Sequence, residues 1–194
     1  MAYCNKRLIL ASGSPRRREL LDKFGINYEI LPAQGEESAP PELTPGERVK
    51  ALAAQKAEEV AQRLNDPAAV ILAADTLVEL DGEVLGKPRD REDAAGMLRR
   101  LSGRRHTVVS GVTLRTAGRM HSFEARTSVW FRPLADEEIA YYVDAFRPFD
   151  KAGSYGIQEW IGYAAIERIE GSFYNVMGLP IQKVYVELTR FLNE

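Results

Sequence analysis

The chain is short of the residues that most often carry chemistry alone. Its single cysteine, Cys4, excludes an internal disulfide and any multi-cysteine metal centre, and suits a reducing compartment. Its two histidines, His106 and His121, have no cysteine or acid at metal-ligand spacing, so they read as structural residues. No charge of one sign dominates: Lys+Arg 26 against Asp+Glu 28 gives a net charge of -2. With no global field toward nucleic acid or an anionic membrane, any anion site must be local. No apolar run approaches the roughly 20 residues of a membrane span, and the opening MAYCNKRLIL has neither a long apolar core nor a small-residue cleavage site. These absences predict a soluble, cytoplasmic protein without membrane or nucleic-acid partners. There is no G-x-x-x-x-G-K-[ST] motif, which argues against a P-loop nucleotidase. No repeat, low-complexity tract or linker interrupts the sequence. A single domain over residues 1–194 is therefore expected, with one core or two closely joined lobes.

What is present is well punctuated. RLILAS (7–12) reads as a buried strand ended by Gly13, and SPRRRELLDKF reads as a helix with Ser14 as N-cap, Pro15 at its first position and Gly25 at its end. NYEILPA predicts a second strand, and TPGERVKALAAQKAEEVAQRLN a long helix stopped by Asn65-Asp66-Pro67. AAVILAADTLVEL is a continuous apolar strand, followed by a hairpin signal at LDGEVL. A helix over about 90–102 precedes two alternating strands joined near Ala117-Gly118. Helix 136–146, a loop over 147–158, a strand over 163–169 and a helix from about Pro180 complete the series. The mixed order predicts an α/β fold on a mixed, twisted sheet with flanking helices.

Three clusters carry the functional signal. Arg16 and Arg17 lie above Leu20 and Leu21 on the inward stripe of their helix, whereas Arg18 is spaced to pair with Asp22 on the solvated side. Arg16 and Arg17 either cap a neighbouring loop or grip phosphoryl oxygens beside the N–H groups of the helix start. Asp75, at the end of an apolar run, is either a turn or capping residue or a site carboxylate at the carboxyl edge of a sheet. Lys56 emerges from the apolar stripe shared with Leu52, Ala53 and Val60, and Lys87 is held extended before Pro88. DKAGSYGIQ (150–158) has the make-up of a binding loop, with an ordinary surface loop as its rival. LRRLSGRRH gathers Arg99, Arg100, Arg104 and Arg105, but no interleaved aromatics accompany them as in a nucleic-acid surface.

LASGSPRRREL, KA at 56–57, AADTLVEL, GKP, DKAGSYGIQ and GSFYNVMGLP follow one another in an order that resembles the Maf family of nucleotide pyrophosphatases along nearly the whole chain. The resemblance implies an enzyme cutting nucleoside triphosphates between the α and β phosphates, with a divalent metal, Mg²⁺ or Mn²⁺, in a family also associated with septum formation. It further implies an elongated mixed sheet with two lobes around a central cleft, similar to the inosine triphosphate pyrophosphatase fold. On these motifs the base or metal-linked carboxylate falls on Asp75, and the phosphate-binding and specificity positions on Ser12, Arg16, Arg17, Lys56, Thr76, Lys87 and Gln158. Glu36 or Glu37 matches a further metal-holding acid. Relatives acting on dTTP and UTP resemble DKAG-x-Y-x-I-Q, whereas those acting on 7-methyl-GTP carry an acid where this chain has Gln158. The amide offers a donor and an acceptor together, matching O4 and N3–H of uracil or thymine. This chain departs from the pattern at Glu159-Trp160, where small residues are commoner. The nucleoside triphosphate is the implied partner, with a homodimer left open. The rival reading is a non-catalytic, nucleotide-sensing regulator of cell division.

Overall fold

The computed structural model describes residues 6–35 and 38–193. Cys4 and both candidate metal acids, Glu36 and Glu37, lie outside them. In chain order the elements are β1 (Leu8–Leu10), α1 (Pro15–Phe24), β2 (Glu29–Ile30), α2 (Pro45–Leu64), β3 (Val70–Leu80), β4 (Glu83–Leu85) and α3 (Arg91–Leu101). Then follow β5 (Arg105–Thr116), β6 (Arg119–Phe131), α4 (Asp136–Phe146), α5 (Trp160–Ala165), β7 (Ile166–Glu170), α6 (Phe173–Met177) and α7 (Ile181–Asn193). The strands form one seven-stranded mixed sheet in the order β2-β1-β3-β5-β6-β7, with β4 paired to β3. β1 runs parallel to both β2 and β3, whereas the β3–β4 and β6–β7 pairs are antiparallel.

The chain divides into two compact units, and the boundaries cut through the long strands. The first holds the chain through Asp75, Ser110–Ala125 and the part from Gly178 onward. Its core joins Ile9 and Ala11 of the first strand segment, Ala57 and Val60 of α2, and Ile71 and Ala73 of β3. α2 starts where its sequence dictates: the Thr44 hydroxyl accepts from the Glu47 N–H while the Glu47 carboxylate accepts from the Thr44 N–H, which satisfies donors at the helix start reciprocally. α2 also passes close over β5. A Cβ on Gly111 would stand 2.4 Å from the carbonyl carbon of Val49, so only glycine permits that approach.

The second unit comprises Thr76–Val109 and Arg126–Met177. Its centre is aromatic: Phe131, His106 and Tyr155 meet edge to face with ring centroids 5.0–5.4 Å apart. Asp81 and Gly82, both with positive φ, make the tight β3–β4 turn that LDGEVL foretold.

The structure departs from the sequence expectations in several elements, among them the short helix α6, which was not foreseen. The second strand shrinks to Glu29–Ile30. The stretch from 163 is divided between helix α5 and strand β7, because Gly162 packs against the Ile157 carbonyl so closely that a Cβ would lie 1.7 Å from its oxygen. Asp75 does not end its strand. β3 continues to Leu80, and Asp75 falls between the residues paired with β1 (Val70–Leu72) and those paired with β4 (Val78–Leu80).

Candidate active site

In the first unit the parallel register of β1 and β3 brings the carboxyl end of β1 beside the middle of β3. Leu10 lies opposite Leu72, and the Ala11 N–H still bonds to the Leu72 carbonyl at 2.8 Å, so the Ser12-Gly13-Ser14 turn opens near Ala74 and Asp75. Pro15 then starts α1 after Ser14, whose extended backbone provides the N-cap conformation.

Arg17 ties this edge together. Its Nη1 donates to the Ser12 hydroxyl at 3.1 Å and to the Ala74 carbonyl at 2.8 Å, while Nε donates to the Gly178 carbonyl at 2.8 Å. A planar fork can hold these acceptors in several directions at once, which the single point of an ammonium cannot. Ser12 is buried at 6% exposure, and its hydroxyl also accepts from the Ser14 N–H at 3.3 Å. Arg16, one residue nearer the helix start, is half-buried. The expected pairing of Arg18 with Asp22 gives way to another arrangement: Asp22 accepts the Tyr28 hydroxyl at 2.8 Å, and the Arg18 Nε is buried without a hydrogen-bond partner.

Opposite the arginines, Lys56 of α2 reaches Asp75 of β3. Its Nζ lies 2.7 Å from Oδ1, with the two side chains only 11% and 15% exposed. Lys56 reaches the strand because it rises from the apolar stripe of α2, between Ala53 and Val60, both fully buried. Removing either partner of so sheltered a pair would leave a costly uncompensated charge. Ser12, Arg16, Arg17, Lys56 and Asp75 thus belong to one unit, and Arg17 and Lys56 both reach the Ala74–Asp75 step of β3.

Thr76, Lys87 and Gln158 belong to the second unit. Lys87 is exposed on the segment after β4, and the preceding Gly86 carbonyl accepts the Gly153 N–H at 3.0 Å, joining that segment to the 150–158 loop. Gly153 adopts φ +68°, and a Cβ there would stand 2.9 Å from Val78, so the loop presses on β3 two residues beyond Thr76. Gln158 is half-buried, and its Oε1 is buried with no hydrogen-bond partner. A buried amide oxygen left without a partner carries an uncompensated desolvation cost, which marks the position as one that needs an explanation.

Sequence reasoning passed over the groups that hold this loop. The Tyr155 hydroxyl meets His106 Nε2 at 2.7 Å, and burial pushes the His106 imidazole down to about 4, so it is neutral at ordinary pH. The Tyr142 hydroxyl accepts the Gly156 N–H at 3.0 Å and donates to Glu159. Lys151, 8% exposed, sits 2.8 Å from Asp150 and 3.1 Å from Glu159. In the sequence Tyr142 is one of several apolar positions of α4. The available signal was Lys151, a loop lysine directly after Asp150.

The sequence profile of Maf-like proteins matches residues 7–191. The chain belongs to the Maf family. A dTTP/UTP pyrophosphatase of Phocaeicola vulgatus is 47% identical to it over 184 residues, 95% of each chain. A protein of the same description from Carboxydothermus hydrogenoformans is 50% identical over 184 residues, 94% of this chain and 97% of the other. One from Bacillus velezensis is 48% identical over 186 residues, 96% and 97% of the two chains. Among solved structures, the Staphylococcus aureus Ham1 protein matches with a TM-score of 0.48 at 19% identity, covering 68% of this chain and 73% of its own. With the Maf assignment, the arginine fork and the Lys56–Asp75 pair are features of a nucleotide pyrophosphatase family member.

As to a metal, no group of three or more His, Cys, Asp and Glu side chains forms among the described residues. The one site carboxylate among them, Asp75, nevertheless suits a hard cation of the Mg²⁺ type, which is commonly held by one or two carboxylates with substrate phosphates and water completing the shell. No helix among the described residues is long and apolar enough to cross a membrane.

Proposed function

We propose that this chain hydrolyses dTTP and UTP to the nucleoside monophosphate and pyrophosphate by attack of water at the α-phosphorus, acting as a single Maf-like domain. The observation that carries the reading is the sheltered Lys56–Asp75 pair, 2.7 Å apart, beside the arginine-bearing start of α1. Relatives named for that activity, 47–50% identical along nearly the whole chain, support it.

Arg16, Arg17, Lys56 and Lys87 neutralise the triphosphate and the charge that grows on the departing pyrophosphate. Arg17, through its bonds to Ser12 and Ala74, also keeps the turn before α1 in the shape that offers its N–H groups to an anion. Asp75 orients the attacking water and takes its proton once Lys56 turns toward the incoming phosphates. Thr76 stands next to it with a hydroxyl for the substrate. The Gln158 amide accepts N3–H and donates to O4 of uracil or thymine. A divalent ion, Mg²⁺ or Mn²⁺, would be held by Asp75 with Glu36 or Glu37, and when bound it neutralises phosphate charge and acidifies water. The reading places the protein with the nucleotide pool of the cytoplasm, requires neither nucleic acid nor membrane, and holds for a monomer or a homodimer.

The test is release of pyrophosphate from UTP, dTTP, CTP and 7-methyl-GTP offered with Mg²⁺ to wild type and Asp75→Asn. UTP and dTTP are expected to lead. The variant should lose about two orders of magnitude or more in turnover while remaining folded. Wild-type turnover by Asp75→Asn would remove Asp75 from the chemistry. Nucleotide binding without any pyrophosphate release would favour a sensor over an enzyme.

A further inference from the structure

An amide alone cannot tell uracil from cytosine. Uracil presents an acceptor at O4 and a donor at N3, cytosine a donor at N4 and an acceptor at N3, and a glutamine that turns its amide over satisfies either pattern. Discrimination therefore requires something that fixes which end of the amide is which.

The structure holds a group suited to that task. A Cβ built on Gly156 would lie 3.1 Å from Gln158 Nε2, 3.1 Å from Glu159 Oε1 and 2.8 Å from Glu159 Cδ, so the amide nitrogen and the carboxylate crowd the same glycine. A carboxylate attracts the NH₂ end of an amide and repels its oxygen. The Gln158 Oε1 is correspondingly the end left buried and unpartnered.

Glu159 is itself immobilised. One oxygen receives the hydroxyl of Tyr142, a fully buried residue of α4, and the other lies 3.1 Å from the Lys151 ammonium. The same Tyr142 oxygen accepts the Gly156 N–H at 3.0 Å. One phenol thus ties the backbone two residues before Gln158 to the side chain of the residue directly after it. That is far more anchorage than an ordinary turn needs.

We propose that Glu159, held by Tyr142 and Lys151, is a specificity-determining positioning residue that fixes the polarity of the Gln158 amide and so makes the protein prefer uracil and thymine over cytosine. The inference rests on the reading that Gln158 meets the base.

The experiment compares kcat/KM for UTP and CTP in wild type, Glu159→Gln and Tyr142→Phe, with thermal melting to confirm folding. Glu159→Gln can still accept from Tyr142 and from Lys151, which keeps Asp150 as its counter-charge, but carries no charge of its own. The expected result is a fall of about tenfold or more in the UTP-to-CTP ratio, read mainly in KM, since a misaimed contact costs up to about a hundredfold. Tyr142→Phe, which frees the carboxylate, should move the ratio the same way and decides the matter if Glu159→Gln does not fold. A discriminating wild type with an unchanged ratio in the folded variants overturns the inference alone. A wild type that releases pyrophosphate from neither nucleotide overturns the functional reading and this inference together.

Discussion

His106 and Arg17 illustrate how single residues in this protein are committed by their partners. His106 is 2% exposed, bonds Tyr155 at 2.7 Å, and is pushed down to about 4 by burial. Between that value and the 6.5 of a free imidazole, the unfolded chain takes up a proton that the folded one refuses. Its contribution to stability is therefore whole above pH 6.5 and declines as the pH falls toward 4, by about 3 kcal/mol in all. Urea unfolding at pH 7 and pH 4.5 should show this loss, and His106→Gln should flatten it. Arg17 shows a different commitment. Its place on the inward stripe was legible, since Leu20 and Leu21 below it are buried, but its backbone acceptors were not. Spacing along a helix tells which way a guanidinium points, and only the fold supplies the carbonyls at Ala74 and Gly178. Gln158 was singled out by type. That its oxygen would be buried and unpartnered, with its nitrogen close to Gly156, is set by the folded loop and by no local pattern.

At the scale of elements, legibility followed the strength of the local signals. α1, α2, α3, α4 and α7 fall where their caps and apolar spacing put them, because Ser14-Pro15, the Thr44–Glu47 box and Asp90 act within one turn of chain. Strands were less legible, since pairing is decided by distant partners. Asp75 sits mid-strand because β4 folds back on the far end of β3, so the run of apolar residues around it could not mark the strand's end. The strand expected over 163–169 begins only at Ile166, because its first three residues close the helix α5, where Gly162 sits tightly on the Ile157 carbonyl. The same kind of close seat supports α2. Gly111→Ala would drive a methyl into the backbone of Val49 and Lys50, at 2.4–2.6 Å, and α2 would have to lift from β5. A loss of about 2 kcal/mol or more is expected from chemical denaturation. Because α2 carries Lys56, the same variant should raise KM for nucleotide.

For the whole molecule, the even charge of the sequence is matched by local pairing. Arg99 bonds Asp136 at 2.6 Å, Arg100 bonds Glu83, and Arg104 bonds Asp81, so three of the four arginines in the basic cluster are balanced by acids, while Arg105 donates to the Ser128 hydroxyl at 2.9 Å. No retention on duplex DNA or heparin at physiological salt is expected; binding that weakens steeply with added salt would contradict this account. One long-range contact has a consequence for how the protein comes into being. Arg17 and the Gly178 carbonyl are 161 positions apart, yet the first helix takes one of its anchors from that carbonyl. On the ribosome, α1 must wait until Gly178 has been made and has emerged before its arginine is fully moored. A nascent or truncated chain that stops short of Gly178 should therefore leave Arg17 without this anchor, and pyrophosphate release by such a fragment should be weaker than by the full chain.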